Sequence, residues 1–255
     1  MIPQMNIFKV FIGCLAFLSC SWLQAQPVEG VIIYEQASYW TRMAARMDYL
    51  SQEEKDRVKL TWGSDDKEIT EMKLVFTPDK SYYTYVSAQR EYGDGRFTQK
   101  LSEYVICRDF AKNVQTDWIE MLGRVYQVED SIRAPKWKVM NKIKDIQGHV
   151  CMMAVTEDTI KKYKITAWFA DDIPASVGPG LYFGLPGAIL ELEVNEGDII
   201  LTAKKIELRP VGDEIQPSKK LKGRKINLKT YDALLSKHFY DSIKSRRNPY
   251  WYVPF

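Results

Sequence analysis

His149, Cys151, Met152 and Met153 form one short run whose side chains are soft enough for metal or redox chemistry. On an extended chain successive side chains alternate, so His149, Cys151 and Met153 share one face and Met152 lies on the other. An imidazole, a thiol and a thioether together make a set of the kind that takes copper. His149 and His238 are the only histidines, which rules out a multi-histidine zinc site by count. Beyond residue 25 the cysteines are Cys107 and Cys151, both expected in strands. They can form a disulfide if their Cα atoms come within about 7 Å, and otherwise are buried free thiols.

Hydrolytic chemistry has fewer supports. Asp171 and Asp172 are adjacent, and neighbours on an extended chain point apart, so these two alone are not an acid/base pair and their expected role is to cap a turn. A hydrolase using carboxylates near this turn is the alternative. A Ser-His-Asp triad needs only one histidine, but no Gly-x-Ser-x-Gly elbow is present. Tyr82, Tyr83, Tyr85 and Tyr92 could stack on sugars, although cross-strand aromatic packing is the expectation. Met43 and Met47, at helical spacing with Trp40 and Leu50, read as core filler. Lys219, Lys220, Lys222 and Arg224 read as a solvated basic face.

The elements that must position these groups are mostly strands. Short apolar runs at 31–34, 72–76, 81–86, 104–107, 124–128, 137–140, 150–156, 163–169, 188–194 and 199–208 are separated by turn-prone residues such as Gly93-Asp94-Gly95 and Gly197-Asp198. This spacing predicts consecutive antiparallel pairing. Ser51 and Glu54 have the spacing of a capping box at the start of a short helix. Residues 210–223 read as a linker or long surface loop, 225–228 as a strand, and Thr230 as the cap of a helix carrying Tyr231, Leu235, Phe239 and Ile243 on one stripe. The tail after Pro249 is expected to dock on the domain.

The stretch 165–194 is the centre of the chain. Ile165, Ala167 and Phe169 alternate with Thr166 and Trp168, and a turn rich in Gly and Pro interrupts the ladder before a half-buried strand resumes at Ala188. A phosphate-binding loop would carry Lys and Ser/Thr at fixed offsets and open a helix, which this one does not. The turn therefore reads as a structural corner. Its residues Gly184-Leu185-Pro186-Gly187-Ala188-Ile189-Leu190, preceded by Trp168, Pro174, Gly178 and Pro179, resemble the hallmark of the GLPGLI family, exported proteins of Bacteroidetes-type bacteria. Trp137, Ile146, Gly148, Cys151, Ala154 and the first strand at 30–35 extend the resemblance over most of the chain. Ala188 replaces a Leu of the family motif, and His149 stands where Tyr is common. The family has no established activity, so the resemblance implies an address and a scaffold, with the hallmark either structural or part of a binding site.

The address is also read from residues 1–25, where Lys9, an apolar core and Leu23-Gln24-Ala25 make a signal peptide. Its apolar core is shorter than the about 20 residues a membrane helix needs. Cleavage leaves 26–255 as one domain, exported to the periplasm, outer envelope or medium, with a lipoprotein anchored through Cys20 as the alternative. The formal charge of +3, lowered by one when Lys9 is removed, argues against a nucleic-acid partner. No later segment is apolar for long enough to span a membrane as a helix. The expected fold is β-rich and mainly antiparallel, a curved sheet or open barrel with a C-terminal helix packed on it. The expected function is a non-enzymatic binder of a hydrophobic or extended ligand, or of a partner envelope protein, with no cofactor. Soft-metal binding through His149, Cys151 and Met153 is the rival.

Overall fold

The computed structural model describes residues 28–63, 67–92, 97–217 and 220–254. The expected signal peptide over residues 1–25 with its Cys20, Lys219 and the side chain of Tyr92 lie outside the described residues. The chain opens with β1 (Gly30–Tyr39), which runs directly into helix α1 (Trp40–Arg46) and then α2 (Gln52–Trp62). The Ser51 hydroxyl accepts from the Glu54 amide and the Glu54 carboxylate accepts from the Ser51 amide, the reciprocal cap expected from their spacing. Strands β2 (Lys67–Phe76) and β3 (Lys80–Tyr85) follow, and β4 (Gln89–Tyr92) and β5 (Phe97–Lys100) form a separate hairpin. Strands β6 (Tyr104–Asp109), β7 (Val114–Met121) and β8 (Arg124–Ser131) continue the first meander. A second meander comprises β9 (Lys138–Ile146), β10 (His149–Asp158), β11 (Tyr163–Ala170), β12 (Ala188–Val194) and β13 (Ile199–Leu208), and β13 pairs with β1 to join the two. Finally β14 (Arg224–Ile226) adds to β8 in parallel, and α3 (Leu228–Lys244) follows it.

The result is one open sheet of 12 strands in the order β14-β8-β7-β6-β3-β2-β1-β13-β12-β11-β10-β9. It has to curl. Strands β8 and β9 stand ten positions apart in that order, yet only residues 132–137 connect them. Laid flat, ten spacings of about 4.8 Å would separate them by roughly 48 Å, whereas that connection reaches about 25 Å at most. The concave face closes over one large core in which Tyr34, Phe76, Phe169, Leu190 and Leu192 are fully buried. The Tyr34 hydroxyl donates to the Ile189 carbonyl (2.6 Å), tying β1 to β12.

Helix α3 lays Tyr231, Leu235 and Phe239 into this core. Its cap differs from expectation: the helix begins at Leu228, and the Asn227 side chain accepts from the Thr230 amide, so Thr230 is the capped residue and β14 is shorter than predicted. Segment 210–223 is more than a linker, because Val211, Ile215 and Leu221 cover Val31, Val75, Tyr82 and Val105 on the convex face. Strand β7 escapes the sequence reading, since its buried positions are Gln115, Asp117, Ile119 and Met121, half of them polar.

Candidate functional site

The hallmark residues lie in the β11–β12 connection, which folds inward and fills the curl. Ile173, Ala175, Val177, Tyr182, Phe183 and Leu185 are buried there. The Ala188 and Ile189 amides donate to Ile173 O and Val177 O, both at 3.0 Å, so the connection is laced to the start of β12. A Cβ on Gly187 would stand 1.9 Å from Ala170 O, and one on Gly178 2.4 Å from Tyr182 O, so backbone contact admits only glycine at both positions. Gly178 and Pro179 are buried with Leu185, whereas Pro174, Gly184 and Pro186 are exposed. Trp137 packs against the connection from the β8–β9 linker, its ring N–H donating to Phe183 O (2.8 Å) and its ring 6.4 Å from Tyr182. Trp168 faces outward instead: its N–H donates to Glu193 (3.2 Å) and Lys144 lies 4.5 Å over its ring while pairing with Glu191.

The soft-ligand residues all lie on β10. The His149 ring pairs with the exposed Asp172 carboxylate (Nδ1 to Oδ2, 2.7 Å). Cys151 and Met153 do share a face, lying opposite Ala170 and Trp168 of β11. Among the described residues no group of three or more His, Cys, Asp or Glu side chains is placed to hold a metal ion. Cys107 and Cys151 are free thiols, which corrects the bridge that export made permissible. Cys107 packs with the layer of Val31, Val75 and Tyr82, whereas Cys151 belongs to the main core, so the two thiols lie in separate clusters. Burial pushes both thiols up to about 12. The tyrosines divide by alternation: Tyr82 belongs to the convex layer, while Tyr83 packs edge-on to Tyr104 in the core at 6.1 Å. They form no single platform.

Two features were not read from the sequence. Arg108 and Asp117 form a buried ion pair between β6 and β7, under the Phe183 ring, which lies 5.5 Å from the guanidinium. Burial raises the Asp117 carboxyl, and Arg108 opposes the shift. The signal was alternation, since Arg108 follows Tyr104 and Ile106 on the inward face as Asp117 precedes Ile119 and Met121.

The second is a groove of about 650 Å³ between the helices. Trp40 and Ala44 of α1, Leu50, Val58 of α2 and Leu122 from the β7–β8 turn supply apolar walls. Arg57, Arg246 and Arg247 stand with Glu54 and Asp241 on the polar side, beside His238 and Ser242. The His238 Nε2 lies 2.8 Å from the Pro249 carbonyl, which can only accept, so that nitrogen carries the proton. Nδ1 is left facing the Ser242 hydroxyl at 3.5 Å, too long for an activating hydrogen bond. This pair ties α3 to the tail; it is not a nucleophile and base.

Residues 155–191, which take in β11 and the hallmark, match the family model described as Protein of unknown function (Porph_ging). No curated protein matches the chain. Two solved structures of PNGF-II, in the P21 and C2 space groups, superpose with TM-scores of 0.53 and 0.51 at 13% identity. Each match covers 82% of this chain and 33% of PNGF-II, so the chain spans about a third of that protein's length. At this identity the similarity is one of β fold, and the chain carries a stretch similar to an uncharacterised family on a β-sheet architecture that PNGF-II also contains.

Proposed function

We propose that this is a non-enzymatic, exported envelope protein of the GLPGLI type that holds a hydrophobic ligand in the groove between α1, α2 and α3. The observation that carries the reading is the groove itself: about 650 Å³, walled by Trp40, Leu50, Val58 and Leu122, and within the roughly 300–1,000 Å³ range of small-molecule sites. The hallmark supports the reading indirectly. Its buried part, with Leu185 and Gly187, is spent on the core, which leaves the groove between the helices as a separate site. The leader pattern over residues 1–25 supports export.

A titration with the neutral apolar fluorophore N-phenyl-1-naphthylamine tests it. Saturable enhancement of emission at micromolar probe is expected, and Val58→Glu, which places a charge in the apolar wall while keeping a good helix former, is expected to abolish it. Absence of saturable binding up to about 100 µM would reject the groove as a ligand site.

A further inference from the structure

We infer that the groove selects a single-chain anionic amphiphile, a free fatty acid, by holding its carboxylate at Arg247 and Arg246 beyond the end of α3. The inference rests on the hydrophobic-ligand reading above and adds the head group to it.

The first argument is charge. Around the groove Glu54 pairs with Arg246 (3.6 Å), Asp241 with Lys237 (2.6 Å) and Glu53 with Arg57 (3.7 Å). Arg247 alone of the lining cations has no ion pair among the described residues. The last carbonyls of α3 do not offset it for a ligand, because the amides of Ser245, Arg246 and Arg247 already occupy Asp241 O, Ile243 O and Ser242 O. Arg246 is positioned: its Nε donates to Tyr49 O (3.1 Å), fixing the guanidinium at the groove edge. Two neighbouring guanidinium groups beside an apolar trough match a carboxylate head on an alkyl chain.

The second argument is the exposed Leu122 at the apolar wall. Leu122 has φ +53° and Arg246 φ +54°, a left-handed conformation that L side chains other than Asn and Asp seldom adopt. Leu122 occupies a tight hairpin turn before Gly123, where Asn-Gly is the favoured pair, and it is 54% exposed. A leucine that is strained and mostly bare contributes little to the fold. Both residues line the same groove, one at the apolar wall and one at the cationic edge. Gln147, Lys162 and Glu196 adopt the same conformation in turns away from the groove, and Arg246 does so just past the end of α3 as helix ends commonly do, so the weight rests on the bare leucine at the apolar wall.

The test is displacement of N-phenyl-1-naphthylamine from the purified chain by dodecanoate, dodecanol and dodecyl phosphate at neutral pH and low salt. Dodecanoate is expected to displace the probe about tenfold more strongly than dodecanol, the scale of one charge-assisted contact. In Arg246→Gln/Arg247→Gln the two should become equal while probe binding persists. Leu122→Asn should weaken dodecanoate binding and leave the unfolding midpoint unchanged or raised. Equal affinity for dodecanoate and dodecanol in the native chain would overturn the head-group assignment and leave the hydrophobic-ligand reading standing. Preference for dodecyl phosphate over dodecanoate would overturn the fatty-acid assignment. Failure of the probe and all three amphiphiles to bind would remove both readings. An unchanged dodecanoate affinity in Leu122→Asn would show that the turn is no part of the site.

Discussion

At the scale of single residues, chemistry that looked available from composition is withdrawn by burial. A thiol reacts as the thiolate, and burial raises both Cys107 and Cys151 to about 12, from an ordinary value near 9. We therefore expect both thiols to react slowly with Ellman's reagent at pH 8 in the native protein and rapidly after unfolding, with no mass change on reduction. The same shift couples to stability. The unfolded thiols ionise first, so their stabilising contribution is complete below about pH 9 and is lost as pH rises toward 12. A native thiol that reacts as fast as an unfolded one would contradict the placement. His149 is likewise engaged, by Asp172, and His238 by the Pro249 carbonyl.

Elements supply the polar interior. Strands β6 and β7 each turn a charged side chain inward, and Arg108 and Asp117 pair with one another, the Arg108 Nε being left without a hydrogen-bond partner among the described residues. Asp117→Ala leaves a guanidinium buried without its counter-charge, and a loss of about 3–5 kcal/mol in urea unfolding is expected. Arg108→Met/Asp117→Leu should cost less than the two single changes summed, since the double variant strands no charge. A single-variant cost under about 1 kcal/mol would mean that the pair is hydrated after all.

For the molecule as a whole, the deciding feature is the return from β8 to β9. A six-residue linker holds β8, next to one edge of the 12-stranded sheet, near β9 at the other edge, and the hallmark connection fills the space they enclose. Trp137 joins linker to filling through its bond to Phe183 O and its contact with Tyr182. Trp137→Ala should destabilise by about 3 kcal/mol, lowering the thermal midpoint by roughly 2–4 °C for each kcal/mol. Trp137→Phe, which keeps the ring and loses the N–H, should fall between the two. A midpoint unchanged in Trp137→Ala would show that curling does not depend on this anchor. The groove also belongs to this scale, because its walls come from β-turn, early helices and late helix together.

Much of the local structure was written in the chain. Alternation in β11 and β12, the capping box at Ser51 and Glu54, the stripe of Tyr231, Leu235 and Phe239, and the Gly/Pro corner are short-range signals, and each needs only a neighbour a few residues away to be read. The β-rich antiparallel class followed from them. Strand β7 was hidden because its inward face is half polar, and that polarity makes sense only beside Arg108. The fate of Cys107 and Cys151 depended on which buried cluster each joined, and that is set by pairing between residues far apart in sequence, which leaves no periodic trace. Whether Leu122, Arg246 and Arg247 meet was likewise fixed only when the sheet curled and brought a hairpin turn, two early helices and the end of α3 to one groove. The sequence determined the elements through contacts within them; the tertiary structure decided the site, because every wall of it comes from a different part of the chain.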